Sequence, residues 1–217
     1  MKKETKKIFC LAAGLLLTFV LWTVAVCFID VKAIGPNYSA VGFATINGYF
    51  HNFTGVNFTL YTITDWLGLV PVFVGFGFSL LGLIQWIKRK NILKVDYSIL
   101  VLGGFYIVVI IAYFFFEECV VNYRPVLING YLEASYPSST TLLVMCVMPT
   151  AIMQFNTRIK NVIFRRSVAT ITTVFIAFMV MGRLISGVHW LSDIIGGALL
   201  SAGLVKTYHF INSLKKP

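Results

Sequence analysis

Residues 182–195 read GRLISGVHWLSDII and place Arg183, His189 and Asp193 within eleven residues of one another. The surrounding chain is overwhelmingly apolar: of 217 residues, 58% are hydrophobic and only 12% are charged. A soluble domain of this length has too little interior to hide so much apolar surface, so lipid must act as part of its solvent. Ionisable side chains are costly in that setting and by default mark function.

The net charge of +10 does not point to nucleic acid, because the cations sit at the ends of apolar runs. Lys2, Lys3, Lys6 and Lys7 precede the first run, and Lys88, Arg89, Lys90 and Lys94 follow the second. Arg158, Lys160, Arg165 and Arg166 follow the fourth, and Lys215 and Lys216 close the chain. Short basic loops between hydrophobic segments follow the positive-inside rule. The basicity is topological. It predicts a plasma-membrane protein with both termini cytoplasmic and residues 30–65 and 117–138 facing outward.

Six spans are predicted, at about 8–29, 66–87, 97–116, 139–155, 167–187 and 190–211, each near the ~20 residues that cross a hydrocarbon core. The expected fold is an all-α, six-transmembrane-helix bundle, with residues 1–217 forming one integral-membrane domain. The first run is longer than a signal-peptide core and lacks a small-residue cleavage site after Ile29, so it is read as a retained helix. Residues 30–65 are too polar to span. After Gly35-Pro36, the helical spacing of Phe43, Ile46, Tyr49 and Phe50 predicts a short interfacial helix between spans one and two. Two roles are open to it: a lid over a headgroup site, or packing that closes the bundle. The segment's three Asn-x-Ser/Thr matches matter only in a secretory pathway. Cys10, Cys27, Cys119 and Cys146 lack metal-ligand spacing, and no metal or cofactor is expected. Cys27 and Cys119 fall near the outer ends of their helices, where a disulfide or two small buried side chains both fit.

On this topology the misplaced polar residues gather at one depth. Arg124 lies between spans three and four, Ser138, Ser139 and Thr140 open span four, Arg183 nears the outer end of span five, and His189 and Asp193 begin span six. Two arginines can hold phosphoryl oxygens through paired, charge-assisted hydrogen bonds. A helix start at Ser138 offers backbone N–H groups to an anion. His189 and Asp193, four apart, are expected on one helical face. The carboxylate would hold one ring nitrogen protonated and leave the other as a nucleophile. The competing structural account makes Arg183 a helix cap and His189-Trp190 part of an aromatic belt.

The segment resembles the third motif of the type 2 phosphatidic acid phosphatase superfamily: Ser-Arg, five residues, His, three residues, Asp. Arg183, His189 and Asp193 match in type and spacing, Arg124-Pro125 resembles the end of the first motif, and Pro137-Ser138 the start of the second, Pro-Ser-Gly-His. Motif order and the six-span layout agree, so the resemblance covers nearly the whole chain. It implies a lipid phosphatase in which His189 forms a phosphohistidine and Asp193 orients it. It also implies that Arg124, Arg183 and Ser138 hold the phosphate.

The sequence departs from that pattern in four places. The expected first-motif lysine is Glu117, the second-motif glycine is Ser139, its acid histidine is Thr140, and the serine before Arg183 is Gly182. An alcohol cannot replace an imidazolium as a proton donor. A diphosphate, whose leaving group is stable as an anion, loses less from that absence than a monoester does. A phosphorylated lipid is therefore the expected partner, with a polyprenyl diphosphate favoured over phosphatidic acid. Glu117, Glu118 and His51 are the alternative donors, while His209 lies on the wrong side. The rival expectation is a catalytically silent member that binds or moves a phosphorylated lipid. A vanadium-dependent haloperoxidase is disfavoured by the missing cation, and a channel by spans two and three, which offer almost no polar stripe.

Overall fold

The computed structural model describes residues 3–215; Lys2 and Lys216 of the predicted basic clusters lie outside them. Among the described residues eight α-helices follow one another: α1 (Lys3–Phe28), α2 (Ala44–Thr54), α3 (Phe58–Leu67), α4 (Leu69–Arg89), α5 (Tyr97–Glu118), α6 (Ser139–Arg158), α7 (Val162–Ile185) and α8 (Leu191–Leu214). Among the described residues, β pairing is limited to three isolated bridges, Lys32–Val41, Tyr123–Ala134 and Ile128–Tyr131. Six helical runs among these residues are long and apolar enough to cross a membrane, with α3 and α4 forming one of them, Phe58–Arg89. The chain is thus an all-helical, six-span membrane protein with a short extra helix between spans one and two.

That second run begins eight residues before the predicted start at 66. Asp65 and the neighbouring threonines read as loop in sequence, but the helix absorbs them. The Thr62 hydroxyl donates to the Phe58 carbonyl and the Thr64 hydroxyl to the Leu60 carbonyl, each at 2.9 Å. Asn57 caps the helix, its side chain accepting from the Leu60 N–H at 2.9 Å.

α6 and α8 form the interior of the bundle, with α1 packed along α8 and α7 along α6. Small residues on α8 permit this approach. A Cβ at Gly203 would sit 2.7 Å from Leu16 of α1, and one at Gly196 would sit 2.6 Å from the Tyr136 ring. The outward faces of α1, α4, α5 and α7 are apolar instead, as at Leu17, Phe73, Ile111 and Ile171, which suits hydrocarbon as solvent. At the end carrying the basic loops, Asp96 joins two of them: Arg89 lies 2.9 Å away and Arg158 3.5 Å away.

At the opposite end α2 is fastened by a buried amide. Asn47 donates to Ser192 Oγ at 2.9 Å and to the Gly42 carbonyl at 2.7 Å, and it accepts from the Ser192 N–H at 3.1 Å. The His51 ring packs on Trp190, with centroids 5.4 Å apart. Of the two roles open to this helix, packing that closes the bundle is the one these contacts describe. Gly187 needs its positive φ of 68° there, because a Cβ would meet the Gly55 carbonyl oxygen at 1.9 Å. All four cysteines are free thiols, with Cys27 and Cys119 exposed and Cys146 buried.

Candidate active site

The link between α5 and α6 folds back on itself and carries Arg124 and Ser135 to the start of α8. The Arg124 N–H donates to the Glu133 carbonyl at 3.0 Å, and the Ser135 N–H to the Asn122 carbonyl at 2.9 Å. These rungs set Arg124 and Ser135 on either side of the His189 ring. Arg124 Nη1 lies 3.2 Å from Nε2, and Ser135 approaches Nδ1 with its hydroxyl at 3.0 Å and its carbonyl at 3.2 Å. A carbonyl can only accept, so Nδ1 carries the proton and Nε2 presents its lone pair. His189 is 3% exposed. Burial, followed by the charges of Arg124 and Arg183, holds its pKa well below the usual histidine value, so it is neutral near pH 7.

The expected helical pairing of His189 with Asp193 takes a different form. α8 starts at Leu191, so His189 stands in the preceding turn, with Asp193 Oδ2 3.9 Å from Nδ1. That is too far for a hydrogen bond. Asp193 is drawn instead to the helix start, where Oδ2 accepts from the Trp190 N–H at 3.0 Å. The Ser135 hydroxyl fills the gap, 2.5 Å from the same Oδ2. Asn122 and Ser192 approach the other carboxylate oxygen, each at 3.3 Å.

Next to this cluster lies a cavity of about 710 Å³ whose lining includes Tyr61, Asp65, Glu117, Arg124, Glu133, Ser139, Thr140 and Arg183. Both guanidiniums are buried, Arg183 at 1% and Arg124 at 7% exposure. Tyr61 lies beneath them, its ring centroid 4.8 Å from the Arg183 Cζ and 5.9 Å from that of Arg124. Asp65 stands 3.5 Å from Arg183 Nη1, and Glu133 3.1 Å from Arg124 Nε. Neither contact has hydrogen-bond alignment: Arg124 Nε, Arg183 Nε and Arg183 Nη1 have no aligned hydrogen-bond acceptor in the protein. Buried guanidinium N–H groups left so are expensive, which makes the cavity a place where an anion is stabilised.

The predicted residues therefore divide. Arg124, Arg183, Ser139, Thr140 and Glu117 share the cavity, while His189 and Asp193 sit directly behind Arg124. Ser138 is turned inward. Its hydroxyl accepts from the Thr141 hydroxyl at 3.0 Å, and its N–H donates to the Asp193 carbonyl at 3.1 Å. The N–H groups that the helix start leaves for an anion are therefore those of Ser139 and Thr140. Of the alternative donors only Glu117 lines the cavity; Glu118 and His51 do not. Sequence reasoning missed Asp65, Glu133, Tyr61 and Ser135, none of which has a motif or a local period to announce it.

The sequence profile of the PAP2 superfamily matches residues 71–215. The chain belongs to the PAP2 superfamily. Curated proteins offer no sequence match to it. A solved PAP2 structure, the first transmembrane PAP2 type phosphatidylglycerolphosphate phosphatase from Bacillus subtilis, superposes with a TM-score of 0.65 at 17% identity. The superposition covers 95% of this chain and 98% of that one, so the shared fold extends to α1–α3, ahead of the profile match. Within the PAP2 framework, this chain combines the third-motif residues with a cavity that carries three carboxylates.

Proposed function

We propose that this PAP2 protein hydrolyses a lipid phosphate through a phosphohistidine at His189, with a polyprenyl diphosphate preferred over a monoester. The observation that carries this reading is the pair of buried guanidiniums with three nitrogens lacking an aligned hydrogen bond, on a cavity of about 710 Å³ backed by a histidine lone pair. A phosphoryl group meeting Arg124 and Arg183 draws Arg124 Nη1 off Nε2 and frees the nucleophile. The Nε2 lone pair then forms the N–P bond, while the bridging P–O bond breaks and its electron pair leaves with the lipid phosphate. Water next attacks phosphorus, the N–P electrons return to Nε2, and a water proton passes to solvent with the released phosphate. Arg124 and Arg183 hold the charge that grows on the equatorial oxygens.

The leaving group decides the substrate. A terminal phosphoryl expelled from a diphosphate leaves a phosphate anion, which needs no proton. An alkoxide does, and a general acid is worth about 10²–10⁴-fold there. Thr140 cannot supply it. Phosphate release by purified protein from lipid monophosphates and diphosphates tests this, with the diphosphate expected to turn over at least about tenfold faster at neutral pH. Equal rates would remove the preference. The absence of release from every lipid in the panel would favour the second reading, a silent phospholipid-binding protein, which the Arg124–His189 contact at 3.2 Å also supports.

The basic loops support a cytoplasmic reading for the opposite end of the bundle, and with it a site that faces outward at the plasma membrane. Single cysteines introduced at positions 55, 92 and 161 of a cysteine-free variant check this in intact cells. An impermeant reagent is expected to label position 55 alone; labelling at 92 or 161 with 55 protected would invert the orientation.

A further inference from the structure

We infer that Ser135 is a positioning residue that carries the influence of Asp193 to the nucleophile, an inference that rests on His189 being the attacking group. The geometry leaves Asp193 no direct hydrogen bond to the ring: its nearer oxygen is 3.9 Å from Nδ1 and already accepts from the Trp190 N–H at 3.0 Å. The Ser135 hydroxyl is 3.0 Å from Nδ1 and 2.5 Å from that same oxygen. A hydroxyl can accept one bond and donate another. Accepting the Nδ1 proton and donating to Asp193 makes a chain of two polarised bonds, each strengthening the other. Ser135 is 3% exposed, so water does not compete for either bond. When Nε2 gains phosphorus, the ring becomes a cation that still bears the Nδ1 proton. The carboxylate stabilises that cation through the serine. No proton leaves the ring in this step: the N–P bond forms, the P–O bond breaks, and the hydrogen bonds behind the ring tighten.

The Ser135 main chain has a separate duty. Its carbonyl, 3.2 Å from Nδ1, fixes the tautomer whatever the side chain does. Removing the hydroxyl should therefore leave the lone pair aimed correctly and cost only the coupling to Asp193. For Ser135→Ala the expected result is a fall in kcat of about 10–100-fold, the scale seen when the group behind a metal-bound histidine is removed, with KM within about twofold. Asp193→Asn should give a similar fall. The double variant should be no slower than the worse single variant, because both changes cut one chain. Ser135→Thr, which keeps a hydroxyl, should recover most of the rate.

The same cycle is read on the ring ¹⁵N resonances of His189 in detergent micelles, which requires no turnover. Asp193→Asn should move them clearly more when Ser135 is present than in the Ser135→Ala background, where only the through-space charge at 3.9 Å remains. Losses that multiply in the double variant, or ¹⁵N shifts that Asp193→Asn causes equally with and without the hydroxyl, would overturn the relay. Silent kinetics with the ¹⁵N coupling intact would support the relay and count against the phosphatase reading alone.

Discussion

His189→Ala is expected to drop phosphate release to the uncatalysed background while the protein stays folded and lipid-bound. An alanine removes the imidazole lone pair aimed at Arg124 and the guanidinium site. The structural cost is small. The residue lies outside α8, so the Trp190 N–H still donates to Asp193 at 3.0 Å, and the Ser138 N–H still reaches the Asp193 carbonyl at 3.1 Å. What is lost is the ring's contacts with Arg124 and with the Ser135 hydroxyl and carbonyl, about 1 kcal/mol for each typical hydrogen bond, offset in part because Arg124 is released towards solvent or substrate. Two measurements separate chemistry from binding. Acid-labile label from a [³²P]-diphosphate should remain on wild-type protein quenched during turnover and be absent from His189→Ala, whereas retention of the unhydrolysed lipid should be unchanged. Full turnover by His189→Ala would exclude the phosphohistidine mechanism.

Such a test was within reach from sequence because charges in an apolar chain are conspicuous. Arg124, Arg183, His189 and Asp193 stand out against their surroundings, and the alternation of apolar runs with basic loops gives six spans by length alone. Helix ends were harder to read. The run beginning at Phe58 starts at Asn57, a cap that a sequence offers no reason to prefer over several nearby threonines and asparagines. Asp65 read as loop because its partner, Arg183, is more than a hundred residues away. Ser135 is hidden for the same reason: its partners lie 54 and 58 residues downstream, and nothing local distinguishes it from any serine in a turn. Ser138 shows the opposite error. A serine at a helix start is good evidence for a cap, and its hydroxyl serves as one, held to Thr141 rather than facing the cavity. Pattern locates charged groups and spans; it does not say which polar group a third segment inserts between two others.

Thr140→His is expected to raise hydrolysis of a lipid monophosphate by about tenfold or more and to change diphosphate hydrolysis little. Thr140 lines the cavity together with Arg124 and Arg183, so an imidazole on this first turn of α6 would meet the same bound phosphate. The cavity of about 710 Å³ has room for the ring. Ser139→Gly is the companion change, giving the turn freedom to aim the ring. Glu117→Lys should add to the gain. Asp65, Glu117 and Glu133 together give this cavity more carboxylates than guanidiniums, and an anionic headgroup, monoester or diphosphate, is repelled by all three. Replacing one carboxylate by an ammonium removes a repulsion and adds an attraction at the depth where phosphoryl charge grows. Turnover of phosphatidic acid and of a polyprenyl diphosphate by the three variants, measured side by side at pH 7, separates the contributions. A donor effect appears as a larger gain on the monoester, and a charge effect as a lower KM on both. Equal gains on the two substrates from Thr140→His would mean that proton delivery to the leaving group does not set the substrate preference.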